Sequence, residues 1–123
     1  MKRLALGLAL TTLTLGGFAA GRATADANDG VTLVVRHTVA NFDKWKAGYD
    51  GHETVRRKFG WTSATVLTDA GDPTHVVVVG KVKSLAQAKD FTGAPSLKET
   101  MKKAGVTSAP DIAFLKVVEQ KTY

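Results

Sequence analysis

Residues 36–61 constrain the fold of this chain more than any other stretch, because they join an apolar strand to an amphipathic helix and then to a second strand. Large residues recur here every three or four positions, the spacing of one helix face: Phe42, Trp45, Tyr49, His52, Val55 and Phe59. We therefore predict one helix that begins after an Asn41 cap and ends at Gly60. Gly48 and Gly51 each weaken this helix by about 1 kcal/mol relative to alanine, so they either permit close packing or mark a bend.

The strand before this helix, residues 31–40, is rich in β-branched side chains. Its odd positions form the more apolar face, which we expect to meet the helices: Val31, Leu33, Val35, His37 and Val39. The even positions are mixed, as expected of a surface that something other than the chain's own core covers.

The rest of the chain supplies three more strands and a second helical region. Residues 61–70 and 74–83 read as a hairpin around the turn residues 71–73. Ser84 caps a short helix, which Gly93 and Pro95 interrupt. A second helical piece spans residues 96–104 and ends at Gly105. Residues 112–118 form a last strand. The order β-α-β-β-α-β predicts a ferredoxin-like α+β domain over residues 31–120, with a four-stranded antiparallel sheet and its helices on one face.

The sheet face away from the helices is too apolar to remain bare if the strand parity is right. Val34, Val77 and Val79 lie on it. An exposed apolar surface of that kind normally marks an interface. We therefore expect two copies to pack these faces together as a homodimer, which gives a dimeric α+β barrel.

Residues 1–25 have the pattern of a secretory signal peptide. Lys2 and Arg3 precede an apolar run, and Ala23-Thr24-Ala25 supplies small residues at the peptidase positions. A membrane anchor is the competing interpretation, but the run is short and is broken by glycines. We expect cleavage before Asp26, a flexible lead-in over residues 26–30, and export to the periplasm or medium with no stable membrane insertion.

Charge and composition exclude several classes of function. Without residues 1–25 the chain carries 14 Lys and Arg against 11 acids, a net charge of +3, which gives little reason to expect nucleic acid as a partner. The chain has no cysteine, so no disulfide supports a domain of this size, and dimerisation would help its stability. No serine lies in a G-x-S-x-G motif, no phosphate loop is present, and the histidine spacing predicts no metal site.

Two motifs suggest a family. H-x-V-x-N-F-D-x-W-K at residues 37–46 and F-T-G-A-P-S-L-K-E-T-M-K-K-A-G-V at residues 91–106 resemble antibiotic biosynthesis monooxygenase-like members of the dimeric α+β barrel superfamily. The resemblance covers about residues 31–119. It implies a small dimeric domain whose relatives include quinone-forming oxygenases, haem-degrading enzymes, isomerases, haem peroxidases and plain binding proteins. The oxygenases act without metal or flavin, so we predict no cofactor. Asn41, Trp45 and Arg36 are of the residue types that line such pockets, although Asn41 is also explained as a helix cap.

His37 and His52 are the candidate catalytic residues, as bases toward a phenolic substrate. Each also has a structural interpretation: His37 as a hydrogen-bonded core histidine beside Val35 and Val39, and His52 as a partly buried stripe residue. His75, at a strand start, is expected to be solvated.

The candidate ligand-binding residues combine aromatic and basic side chains: Arg36, Trp45, Tyr49, Trp61 and Lys81. Helical spacing alone also explains Trp45 as a core residue. Strand parity places Arg36 and Lys81 on the face that a dimer would cover, where they pair with acids or line a polar cavity. The run Arg56-Arg57-Lys58 is interpreted as a solvated helix end.

The sequence therefore favours an exported dimeric binding protein for a small aromatic or carbonyl-bearing molecule. Two alternatives stay open. One is a cofactor-independent oxygenase acting on a phenolic or quinone-type substrate, and the other is a haem-binding or purely structural dimer.

Overall fold

The computed structural model describes residues 30–123, which form four strands and four helices. The strands are β1 (Val31–Thr38), β2 (Trp61–Asp69), β3 (Asp72–Val82) and β4 (Asp111–Leu115). The helices are α1 (Phe42–Gly51), α2 (Glu53–Lys58), α3 (Leu85–Gly93) and α4 (Pro95–Lys103). The predicted signal peptide, and all of the predicted lead-in except its last residue, lie outside the described residues.

The four strands form one antiparallel sheet in the order β2-β3-β1-β4. The central pair aligns Val35 with Val78, and β4 aligns Ile112 with Val35 on the other side. This order and the β-α-β-β-α-β sequence of elements confirm the predicted ferredoxin-like α+β fold.

One face of the sheet holds the core, and strand parity predicted it correctly. In β1 the odd positions are buried while the even positions are half-buried or exposed. Leu33 and Val76, both fully buried, lie at the centre of this layer, and Phe91 and Leu97 pack onto it from α3 and α4. Val34, Val77 and Val79 lie on the opposite face, which no helix of the described chain covers.

The single helix predicted between Asn41 and Gly60 is wrong in one respect, because it is divided at His52. His52 ends α1 with φ −100° and ψ 8° and precedes α2. The weakened backbone at Gly51 accounts for where the helix breaks. Gly48 serves close packing instead, since a Cβ there would come within 2.9 Å of the Ala104 Cβ. Both roles considered for the glycines are therefore present.

The predicted element ends are correct at the glycines and less so in the loops. Gly60 and Gly105 have φ of 87° and 86°, the left-handed conformation expected of residues that end helices. The hairpin turn is shorter than predicted because Asp69 pairs with Asp72, and β4 ends at Leu115 rather than continuing to residue 118. Within residues 30–123, no helix combines the length and apolar character needed to cross a bilayer.

Candidate functional site

A cavity of about 60 Å³ lies between the core face of the sheet and the helical layer. Four aromatic side chains form much of its wall: Trp45, Tyr49, Trp61 and Phe91. Trp45 and Tyr49 are stacked, with ring centroids 5.1 Å apart, and Trp61 meets Phe91 edge-on at the same distance. The partial exposure of Tyr49 and His52 places the rim of the cavity at the junction of α1 and α2.

His37 reaches the cavity from β1, where its odd position puts it on the core face. It is only 7% exposed and lies 5.6 Å from the Trp45 ring between centroids. Among residues 30–123, no group forms a hydrogen bond with its Nδ1 or Nε2. Burial lowers the pKa of His37 below its usual value of 6.5, so the imidazole is neutral at neutral pH. His37 is therefore buried, as the core interpretation predicts, but no group of residues 30–123 supplies the hydrogen bond that this interpretation expects.

Trp61 contributes a second unsatisfied polar group to the same cavity. Its Nε1–H is buried and has no acceptor in the part of the chain that the structure describes. The indole lies across Gly80 of β3, where a Cβ would collide with the six-membered ring. A glycine within a strand commonly marks such a close approach, and here it lets Trp61 lie flat against the sheet.

His52 stands at the break between α1 and α2 and is half-buried. Its ring centroid is 6.1 Å from that of Phe91. Burial lowers the pKa of His52, and the positive charge of Arg56 lowers it further. The cavity is thus bordered by two imidazoles that are unprotonated at neutral pH.

Arg56 also lines the cavity, although its sequence context predicted a solvated helix end. It is 7% exposed, whereas Arg57 and Lys58 are exposed as predicted. The guanidinium lies 3.6 Å from the centroid of the Tyr49 ring, and its Nη1 donates a hydrogen bond of 2.7 Å to the Tyr49 carbonyl oxygen. A signal for this placement was present in the sequence, because Arg56 follows Tyr49 by seven positions and His52 by four, the spacing of one helix face.

Five of the seven predicted site residues meet at this cavity, and two do not. The five are His37, Trp45, Tyr49, His52 and Trp61. Arg36 and Lys81 are exposed on the opposite face of the sheet, at register positions next to Val77 and Thr32. The sheet separates both residues from this cavity, and Arg36 instead lines a separate groove of about 590 Å³ that His37 also borders. Asn41 caps α1, and its Oδ1 accepts a 2.8 Å hydrogen bond from the Lys44 backbone N–H.

Three residues line both this cavity and a groove on the outer surface. The groove has a volume of about 340 Å³, and the shared residues are Tyr49, Arg56 and Trp61. These side chains therefore form the partition between the inner space and solvent. Within residues 30–123, no group of three or more His, Cys, Asp or Glu side chains is arranged to hold a metal ion.

The fold and the cavity together define a class: this chain has the ferredoxin-like α+β fold of antibiotic biosynthesis monooxygenase structures. One solved structure with this fold is described as an antibiotic biosynthesis monooxygenase; it is 13% identical, with a TM-score of 0.58, and the match covers 72% of this chain and 99% of that chain. At such identity the likeness establishes the fold alone.

Two particular proteins show the same likeness. SnoaB, a cofactor-independent oxygenase from Streptomyces nogalater, is 14% identical with a TM-score of 0.63, covering 75% of this chain and 96% of its own. Rv0793 from Mycobacterium tuberculosis is 16% identical with a TM-score of 0.57, covering 76% of this chain and all of its own. No protein-family model matches the sequence, and no curated protein does.

Proposed function

We propose that the chain binds a small aromatic or carbonyl-bearing molecule in the cavity beneath α1 and α2. One observation carries the proposal. Three buried nitrogen atoms without partners in residues 30–123 belong to two residues that line one aromatic-walled space: His37 Nδ1, His37 Nε2 and Trp61 Nε1. Buried polar groups in folded proteins are nearly always hydrogen-bonded, and each one left unsatisfied costs about 1–3 kcal/mol. A ligand oxygen that accepts from these groups would remove that cost.

The size of the cavity limits what it admits in the described conformation. Sites for drug-sized ligands have volumes of roughly 300–1,000 Å³, and this cavity has about 60 Å³. A single ring therefore needs the partition of Tyr49, Arg56 and Trp61 to move, which would join the cavity to the outer groove of about 340 Å³. Haem, the alternative ligand, is larger than a single ring and does not fit within this cavity in the described conformation.

Calorimetric titration with benzamide, a neutral ring that bears a carbonyl group, tests this proposal. We expect saturable binding of one molecule per chain. Changing His37→Phe should abolish it, because the larger apolar ring fills the cavity and removes two polar atoms. The matched control is His75→Phe, an exposed histidine on β3 that we expect to leave binding unchanged. Absence of saturable binding, or equal binding by both variants, would sink the proposal.

A second candidate is a cofactor-independent oxygenase, which the two neutral imidazoles favour. A general base must be unprotonated at the working pH, and burial keeps both His37 and His52 in that form. The base would take a proton from the hydroquinone, and dissolved oxygen would accept its two electrons together with two protons, which gives quinone and hydrogen peroxide. SnoaB, which shares the fold, is described as a cofactor-independent oxygenase.

Oxygen consumption with hydroquinone, a phenol of one ring, tests the second candidate. We expect uptake above the buffer rate, with loss of that uptake in folded His37→Ala or His52→Ala protein. If neither substitution changes the rate, the assignment of these bases is wrong. If only His52→Ala changes it, the base lies at the rim of the cavity rather than beneath it.

We further propose that the protein acts as an exported homodimer joined through the open sheet face. Val34, Val77 and Val79 form its centre, and Leu67 and Leu115 beside them are 48% and 49% exposed. Burying such side chains contributes about 25 cal/mol for each Å² removed from water. Light scattering after size-exclusion chromatography should give twice the mass of the mature chain. A mass of one chain at micromolar concentration would refute the dimer.

A further inference from the structure

Arg56 is a buried cation whose charge has no carboxylate partner in the described chain. It is 7% exposed, and its guanidinium donates a hydrogen bond from Nη1 to the Tyr49 carbonyl oxygen. Burying an unpaired charge is costly unless an opposite charge or several hydrogen bonds compensate it. The burial of Arg56 in this site therefore calls for an explanation.

The two acids nearest Arg56 are already paired with other cations. Glu53 accepts two hydrogen bonds from Arg57, at 3.1 and 2.7 Å, and Asp50 accepts one from Lys46 at 2.7 Å. Both pairs are exposed and link residues four positions apart on one helix. These acids influence Arg56 from a distance, and within residues 30–123 neither of them forms an ion pair with its guanidinium.

The remainder of the cavity wall carries no compensating negative charge. The described residues that line the cavity include no Asp or Glu. Two histidines and one arginine are among them: His37, His52 and Arg56. Burial lowers the pKa of both histidines, so the guanidinium supplies the full positive charge at this site. Aromatic walls, indole and imidazole groups and one planar cation are complementary to a flat molecule with a negatively charged end.

We propose that Arg56 makes this site selective for a small aromatic monoanion, best matched by a carboxylate on a single ring. The inference rests on the proposed binding function and names its ligand class. The guanidinium presents parallel N–H groups that fit the two oxygens of a carboxylate. The guanidinium packs on the Tyr49 ring, so we expect the two side chains to move together when the partition opens and to stay beside the ligand. The ring of the ligand lies toward Trp61 and Phe91.

The direct test compares benzoate with benzamide, which have nearly the same shape and differ in charge. We expect the wild-type protein to bind benzoate at least about tenfold more tightly. We also expect the affinity for benzoate to stay constant between pH 6 and pH 8, where both the carboxylate and the guanidinium remain charged. A rise in affinity as the pH falls would assign the anion to a protonated His37 or His52 and would overturn the role of Arg56.

Substitutions at Arg56 supply the second arm. Arg56→Gln should remove the preference for benzoate, whereas Arg56→Lys should retain part of it because the charge remains and the fork is lost. Lys58→Gln is the matched control, since it removes the same charge from an exposed position two residues away. Circular dichroism verifies that each variant folds. If Arg56→Gln does not fold, the benzoate-to-benzamide ratio of the wild type and of Arg56→Lys decides the question.

The outcomes separate this inference from the binding function beneath it. If benzamide and benzoate bind equally well, or if Lys58→Gln loses as much affinity for benzoate as Arg56→Gln, the anion selectivity is refuted while binding stands. If neither molecule binds, both ideas fail. Tight benzoate binding that depends on Arg56 and not on Lys58 supports both.

Discussion

Replacing His37 with phenylalanine should stabilise this protein, although most substitutions of buried residues destabilise their hosts. A neutral imidazole carries one N–H donor and one lone-pair acceptor, and neither nitrogen of His37 has a partner. Each buried unsatisfied group costs about 1–3 kcal/mol, and water entering the cavity recovers part of that cost. The larger phenyl ring can extend into the adjoining cavity of about 60 Å³. We therefore expect a gain of about 1–3 kcal/mol in the free energy of unfolding.

Equilibrium urea unfolding of the wild type, His37→Phe and His75→Phe measures this effect. For a domain of this size, 1 kcal/mol corresponds to a shift of roughly 4–8 °C in Tm, so thermal unfolding gives an independent estimate. The urea slope should not change, because the same surface is exposed on unfolding. His75→Phe, at an exposed site, should stay within about 0.5 kcal/mol of the wild type. Destabilisation of His37→Phe by more than about 1 kcal/mol would refute the reasoning, since it would mean that His37 is satisfied or that the cavity cannot accept the ring.

Three further predictions concern the packing of two glycines, the effect of pH on stability and the processing of the exported chain. Gly80→Ala should lower the free energy of unfolding in urea by about 1–3 kcal/mol, because the added methyl group displaces the Trp61 indole. Gly51→Ala has open space around it and should be neutral or stabilising by up to about 1 kcal/mol. Equal losses in the two variants would contradict this. Because the folded-state pKa of His37 is lowered, the unfolded state binds more protons below about pH 6.5, so stability is retained above that pH and lost as pH falls through the folded-state pKa. The free energy of unfolding should be lower at pH 5 than at pH 7, and His37→Phe should make this difference smaller. An unchanged difference in the variant would exclude His37 as its source. Finally, mass spectrometry of the exported protein should find Asp26 as the first residue, and an intact Met1 would disprove cleavage.

Periodicity predicted the sheet and most of the cavity wall. The alternation along β1 placed His37 on the core face, and the three-to-four spacing along α1 placed Trp45 and Tyr49 on the same side of the helix. These predictions succeed because burial of apolar side chains sets both the strand parity and the helix face. No contact between distant residues has to be known for them.

The break at His52 could not be predicted from periodicity, and for Arg56 the helix-face spacing with Tyr49 and His52 was only a weak signal of burial. Gly48 and Gly51 both weaken the helix, but only close packing against Ala104 distinguishes the first from the second. Once the chain breaks at His52, the Tyr49 carbonyl accepts hydrogen bonds from the His52 backbone N–H and from Arg56 Nη1. A charged residue near a helix end usually faces water, so this arrangement had to be seen in three dimensions.

Unsatisfied hydrogen-bonding groups were also beyond the reach of the sequence. Strand parity places His37 inside, yet it does not state which groups surround the ring. Nor could the sequence indicate that the Trp61 ring packs closely on Gly80 while its N–H has no acceptor among residues 30–123. The site is defined by these missing partners more than by the residue types themselves.

The central claim is that the cavity below α1 and α2 receives a ligand, and the side-chain signal of Trp61 tests it most directly. In a ¹H–¹⁵N spectrum the two tryptophans give two indole N–H signals, and both residues line the cavity. On titration with benzamide we expect the Trp61 Nε1–H signal to move downfield and to saturate, because an N–H without an acceptor gains one. If that signal stays in place while the ligand is in excess, the cavity is not the binding site.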